Sequence, residues 1–340
     1  MRGEQNTARK AITFAVGTVL AAGMFLGDAV PVRADQTKVT IGTARDMQLG
    51  AEIGMAKHKG YFAEEGLDVT VAYFGSGAEM TSAMAAGQLQ IGSFGDFPTV
   101  NMIAADLPVK IISAMAEISG AQQIVVRDGI KSPDDLKGKK LGLMVGSSSE
   151  SLLRSALDHY GIPVESVELV NMRPPEQVAA LARGDVDGLA VWQPFVLKAK
   201  SQAGGHAMLS ALKSYIPGME GDLDFYAAYA LLVARNDFLA ENPDTTKALL
   251  RALYKAQKYI NANKGETATT MKEDMRAPES DLRVFLEESV YDMSITPKLV
   301  RTLNNSVAFM YAAGKIKTRP KIEAYIDSSY LKSVGQALVK

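Results

Sequence analysis

GAEMTSAMAAGQLQIG (Gly77–Gly92) and PPEQVAALARGDVDGL (Pro174–Leu189) align without a gap at an offset of 97 residues. Glu79 matches Glu176, Ala83 matches Ala180, Gly87 matches Gly184 and Leu89 matches Val186. Each copy reads as a helix, a turn glycine and a short strand. Met80, Ala83, Met84 and Gly87 fall on one helix face, as the 3.6-residue period requires. The same offset carries Gly95-Asp96 onto Trp192-Gln193. Two copies of one unit, about a hundred residues apart, imply two similar lobes.

The flanking sequence repeats the same order. Lys38–Ala44 (KVTIGTA) reads as a buried strand, and residues 49–59 as a helix stopped by Gly60. Leu67–Phe74 (LDVTVAYF) alternates like a strand, and Ser76 with Glu79 has the spacing of a capping box. The pattern restarts at Lys139–Val145 (KKLGLMV), with a second capping box at Ser147–Glu150, a helix ending at Gly161 and a strand over Val167–Met172. Strand and helix in alternation predict an α/β fold with parallel sheets. The chain is expected to cross into the second lobe near Arg127 and to return near Tyr226. Lobe 1 is then 35–127 plus 226–340, and lobe 2 is 128–225. From about Asn236 the pattern is mainly helical.

The first 34 residues stand apart. Arg2, Arg9 and Lys10 precede an apolar, uncharged run over Ala11–Gly27, and Val32-Arg33-Ala34 matches a signal-peptidase site. These features read as a secretory leader cleaved after Ala34, with an uncleaved membrane anchor as the rival. Without the leader the charge is 33 basic against 36 acidic residues, and no basic block suggests a nucleic-acid partner. The chain has no cysteine, which excludes disulfides, thiol nucleophiles, zinc–thiolate sites and a lipid-anchored lipoprotein. The expected location is a periplasm, as a free monomer.

In open α/β sheets, ligands sit beyond the carboxyl ends of the strands. In lobe 1 that rule selects Arg45, Asp46 and Gln48, then Ser76 and Gly77, then Phe94, Asp96 and Phe97. In the second lobe it selects Ser147 and Ser148, then Arg173, then Trp192 and Gln193. Tyr226 joins from the return crossing. The loops at 75–77 and 146–149 suit an oxyanion at a helix start, and equally suit serines that only cap. Arg45 and Arg173 offer bidentate forks or are surface residues. Trp192, with Phe94, Phe97 and Tyr226, walls the cleft or packs the core. His58, His159 and His206 lack metal-ligand spacing, and no Ser–His–Asp order or dinucleotide fingerprint is present, so no catalytic residue, metal or cofactor is expected. In GSFGDFP (Gly92–Pro98), Asp96 either caps a helix whose first turn holds Pro98 or touches ligand. A ligand met by Asp96 should bring a proton donor or a positive charge.

Four stretches in register carry a resemblance: IGTARD with AKHKGYFAEEGLDV (Ala56–Val69), MAAGQLQIGSFGD, SPDDLKGKKLGLMVGS and DVDGLAVWQPF. They resemble solute-binding proteins of the nitrate, sulfonate and taurine uptake class, a family that includes binders of pyrimidine thiamine precursors. The resemblance implies a type II periplasmic-binding fold: two α/β lobes, two crossover strands and a ligand cleft between them. It implies capture of a small molecule for the membrane permease of an ABC importer, and no catalysis. A sulfonate or taurine-like organic anion leads. Nitrate or bicarbonate and a pyrimidine precursor are alternatives, and an exported enzyme on the same fold is the alternative of another class. The pyrimidine synthases and hydroxymethylbilane synthases of related fold need cysteines that this chain lacks.

Overall fold

The computed structural model describes residues 36–75 and 77–340; the expected leader and Ser76 lie outside the described residues. Two sheets organise the chain. It first lays down β1 (Thr37–Ala44), α1 (Met47–His58), the one-turn α2 (Tyr61–Glu64), β2 (Leu67–Phe74), α3 (Gly77–Ala85), β3 (Ile91–Gly95), α4 (Asp96–Ala104) and β4 (Val109–Glu117). The second sheet takes β5 (Gln122–Val126), β6 (Lys140–Leu143), α5 (Ser148–His159), β7 (Glu168–Asn171), α6 (Pro174–Arg183), β8 (Gly188–Trp192), α7 (Phe195–Ala203), β9 (His206–Ser210), β10 (Lys213–Ser214) and β11 (Gly221–Asp222). The chain returns through β12 (Tyr229–Arg235) to α8 (Asn236–Glu241), α9 (Pro243–Ala262), α10 (Lys264–Thr270), α11 (Lys272–Met275), α12 (Glu279–Glu287), β13 (Val290–Tyr291), α13 (Pro297–Ala312) and α14 (Ser329–Lys332).

The sheets run β13-β4-β12-β3-β1-β2 and β11-β10-β9-β5-β8-β6-β7. Four strands of each match: β2-β1-β3 and β7-β6-β8 are parallel, and an antiparallel strand follows each trio, β12 in one and β5 in the other. The 97-residue repeat is therefore a repeat of structure. Its two glycines share one job: Gly87 and Gly184 sit in the left-handed region, at φ 72° and 81°. A side chain there would meet its own backbone, so glycine is the residue that ends both helices. Matching hydrogen bonds close both turns, Gln88 N–H to Ala83 O and Asp185 N–H to Ala180 O, each 2.9 Å.

Of the α3 stripe read from the sequence, the two methionines are buried, Ala83 is half-buried and Gly87 is exposed. Met80 and Met84 of α3 are fully buried, as are Leu152, Leu153 and Leu157 of α5. Burying each such side chain contributes roughly 1.5–3 kcal/mol. A smaller core in lobe 2 gathers Val178 and Leu181 of α6, Val191 of β8 and Val196 of α7. α9 packs along α1 on the outside of lobe 1.

The crossings depart from the sequence reading at one place. β5 hydrogen-bonds to β8 and β9, so the chain changes sheets between Glu117 and Gln122, ahead of Arg127. The return lies between Asp222 and Tyr229, a stretch that contains Tyr226. Gly120, in the outward crossing, lies against the backbone of Glu288, and a Cβ there would run into the Glu288 carbonyl oxygen. Backbone cannot rotate aside as a side chain can. Gly120→Ala is expected to destabilise the protein by about 1–3 kcal/mol, in the range of overpacked cores. An unchanged denaturation midpoint would show that the crossing is looser than its geometry.

Candidate functional site

Both parallel trios end at the crossings. Gly95, the last residue of β3, pairs with Ala230 just after the return; Trp192, the last of β8, pairs with Gln122 just after the outward passage. Asp96 and Gln193, the pair matched by the repeat, therefore stand where the two lobes join. This is the crevice outside the strand ends in which open α/β sheets bind ligands.

Asp96 is the first residue of α4, and the capping position belongs to Gly95. Its carboxylate is 3% exposed and accepts a hydrogen bond from Ser306 Oγ of α13 at 3.2 Å. Burial raises its pKa to about 7, against the opposing effect of hydrogen bonds from Phe97 N–H and Ser306. Tyr226, from the return crossing, has a buried hydroxyl that makes no hydrogen bond. Burial and then the charge of Asp96 raise its pKa well above the usual tyrosine range, while Ser148 close by lowers it. Ser148 opens α5 in lobe 2 and donates to Gln122 Oε1 at 3.2 Å. Asp96, Tyr226 and Ser148 thus bring one lobe, one crossing and the other lobe to a single place.

The remaining candidates divide. Ser147 caps α5, accepting from Ser149 N–H at 3.2 Å and donating to Met144 O at 2.6 Å. Asp46 caps α1, accepting from Leu49 N–H at 2.8 Å, and burial raises its pKa to about 6. Gln48 is buried and donates to Gln193 O, in the other lobe, at 3.3 Å. Gly77 opens α3, against Pro98. Trp192 is half-buried. Phe94 instead lies in the core at 1% exposure, since β3 is a central strand covered on both faces. Phe97 packs edge-on to Phe309, with centroids 5.9 Å apart. Arg45 is exposed, lies 4.3 Å over the Tyr73 ring and donates to Asp274 O at 2.7 Å. Arg173 is exposed at the start of α6. Among the described residues no lysine or arginine is buried.

Sequence reasoning missed Gln122, Gln123, Glu288 and Ser306. Two glutamines opening an otherwise apolar strand, QQIVV, were a usable signal, because buried amides need partners. Glu288 and Ser306 had no local signal. Two open grooves, of about 320 and about 750 Å³, lie around Arg127 and His206 at the far end of lobe 2 and include none of the cleft candidates.

The two sheets and the position of this crevice define the two-lobe α/β fold of the type II periplasmic-binding class. The chain belongs to the NMT1/THI5-like family, whose model matches residues 51–267. The taurine-binding periplasmic protein of Escherichia coli is 28% identical over 311 residues, covering 88% of this chain and 92% of that one. The aliphatic sulphonate-binding protein SsuA of Escherichia coli superposes with a TM-score of 0.72 at 19% identity, covering 85% of this chain and 92% of its own. The desulfurization enzyme DszB shares the fold as well, with a TM-score of 0.66 at 14% identity, over 89% of this chain and 99% of that one. This architecture therefore hosts both binding and catalysis, and the relatives aligned by sequence are named as binding proteins.

Proposed function

We propose that this protein is an exported solute-binding protein that captures a small amino-sulfonate, taurine or a close analogue, and delivers it to the permease of an ABC importer. The observation that carries the ligand chemistry is the buried Asp96 carboxylate, beside the unpartnered Tyr226 hydroxyl and Ser148. A carboxylate in that position repels a bare anion and attracts an ammonium group. The oxyanion end would take the start of α5, where Ser147, Ser148 and the positive helix end lie, with the Tyr226 hydroxyl as a further donor. Trp192 supplies apolar surface for the methylenes between them. Nitrate or bicarbonate is less well served, since no cationic side chain is buried to replace its hydration.

The leader read in residues 1–34 and the relative named as periplasmic support a periplasmic setting. No helix among the described residues is long and apolar enough to cross a membrane.

A thermal-shift screen with taurine, ethanesulfonate, nitrate and a thiamine-precursor pyrimidine tests the reading. Taurine is expected to give the largest rise in midpoint, corresponding to about 2.7 kcal/mol at a concentration 100 times its Kd. No response to either sulfonate, with stabilisation by the pyrimidine or by nitrate, would overturn it.

A further inference from the structure

Glu288, just beyond the end of α12, belongs to lobe 1. Its two carboxylate oxygens are taken by two glutamines of lobe 2. Gln123 Nε2 of β5 donates to Oε1 at 2.7 Å, and Gln193 Nε2 donates to Oε2 at 2.8 Å. Both glutamines are buried. The other polar atoms of Gln193 are held as well. Its N–H donates to Ala121 O at 3.1 Å, its Oε1 accepts from Leu197 N–H at 3.2 Å, and its carbonyl accepts from Gln48 of lobe 1 at 3.3 Å. Gln193 is thus fixed by the protein on every side, two of those sides belonging to the opposite lobe. Gly120 brings the outward crossing flush against the Glu288 backbone, so the clasp is rooted at the pivot.

We propose that Glu288 is the positioning residue of the cleft: by accepting from Gln123 and Gln193 it holds lobe 2 against lobe 1 and fixes the strand ends that the ligand meets. Hydrogen bonds to an ionised group are stronger than neutral ones, and a two-pronged acceptor sets direction as well as distance. Two-lobe proteins move by hinge closure around a few residues at the crossings. A clasp beside the pivot biases that equilibrium at every ligand concentration. The inference rests on lobe geometry and not on which ligand the cleft takes.

The absence of cysteine allows a direct test. Cysteines at Glu165 of lobe 2 and Glu241 of lobe 1, both exposed, accept spin labels in the full chain. Pulsed dipolar spectroscopy then reads the distance between the lobes without ligand. The parent is expected to give one narrow distribution, and Glu288→Ala a longer and broader one. Adding Gln193→Leu to Glu288→Ala is expected to lengthen the distance no further, since the bond of the Gln193 side chain across the lobes is the one to Glu288. If Glu288→Ala does not fold, Glu288→Gln keeps the volume but opposes an amide to one of the two donors, and is expected to broaden the distribution in part. Distributions of Glu288→Gln and every folded alanine variant that superimpose on the parent would overturn the proposal, whatever their effect on stability.

Discussion

Asp96→Asn is expected to weaken taurine binding about 100-fold while changing ethanesulfonate binding much less. The two ligands differ in the ammonium group, and asparagine differs from aspartate in charge while keeping its shape and an acceptor for Ser306. Losing one partner of a buried, hydrogen-bonded charge pair costs roughly 2–5 kcal/mol, and 2.7 kcal/mol is about 100-fold in Kd. The pH dependence gives a second reading of the same contact. Burial sets the Asp96 pKa at about 7 in the free protein, so at pH 6 most of the cleft carries a neutral acid. An ammonium ligand binds the ionised form, so taurine affinity should rise as pH climbs from 6 to 8 and then level off. Ethanesulfonate should lack that rise, and Asp96→Asn should lose it for taurine. Isothermal titration at three pH values decides the matter. Equal losses for both sulfonates would remove the charge argument and leave Asp96 as a residue that only orders α4.

What could be read without the structure was what short-range periodicity encodes. The α3–β3 and α6–β8 units were legible because a buried stripe and a left-handed glycine repeat within sixteen residues, independent of distant contacts. Asp96 and Gln193 were legible as positions for the same reason. Which sheet takes β5 was not legible. QQIVV is apolar enough for either lobe, and its place is decided by pairing with β8 and β9, whose partner residues lie far along the chain, from Gly188 to Ser210. Phe94 looked like a cleft aromatic because β3 ends there; that β3 is a central strand covered on both faces depends on distant pairing that a five-residue run does not fix. Arg45 went to Tyr73 and Asp274 because those groups arrive from β2 and from the end of α11, and neither is adjacent in sequence. The Glu288 clasp joins residues 95 and 165 positions apart, a separation at which composition and spacing carry no information.

Glu52→Gln is expected to stabilise the protein at pH 8.5 and to destabilise it modestly at pH 5. Glu52 lies one turn beyond Gln48 on α1, fully buried, with both carboxylate oxygens lacking hydrogen-bond partners. Its charge also bears on Tyr291, whose hydroxyl donates to Met47 O at 2.8 Å. Burial raises the Glu52 pKa from 4.5 to about 8. The folded state therefore holds a proton that the unfolded chain releases above about pH 4.5. Stability contributed by that proton is whole below pH 4.5 and is lost progressively as pH rises toward 8. A shift of that size corresponds to roughly 5 kcal/mol at most, at about 1.4 kcal/mol per pH unit. Asp46 and Asp96, whose pKa values are also raised, act in the same direction and are unchanged by the substitution. Glutamine stays neutral at every pH but carries two donors into a site built around an acid, an unmet demand of about 1–3 kcal/mol. The net expectation at pH 8.5 is a gain of ~2 kcal/mol or more, or several degrees in Tm at roughly 2–4 °C per kcal/mol. At pH 5, where the glutamate is already neutral in the folded protein, the unmet donors dominate and the variant should fall below the parent by up to about 2 kcal/mol. Two stability profiles running parallel from pH 5 to 8.5 would mean that Glu52 finds a counter-charge or solvent in the folded protein, and that burial does not govern its proton.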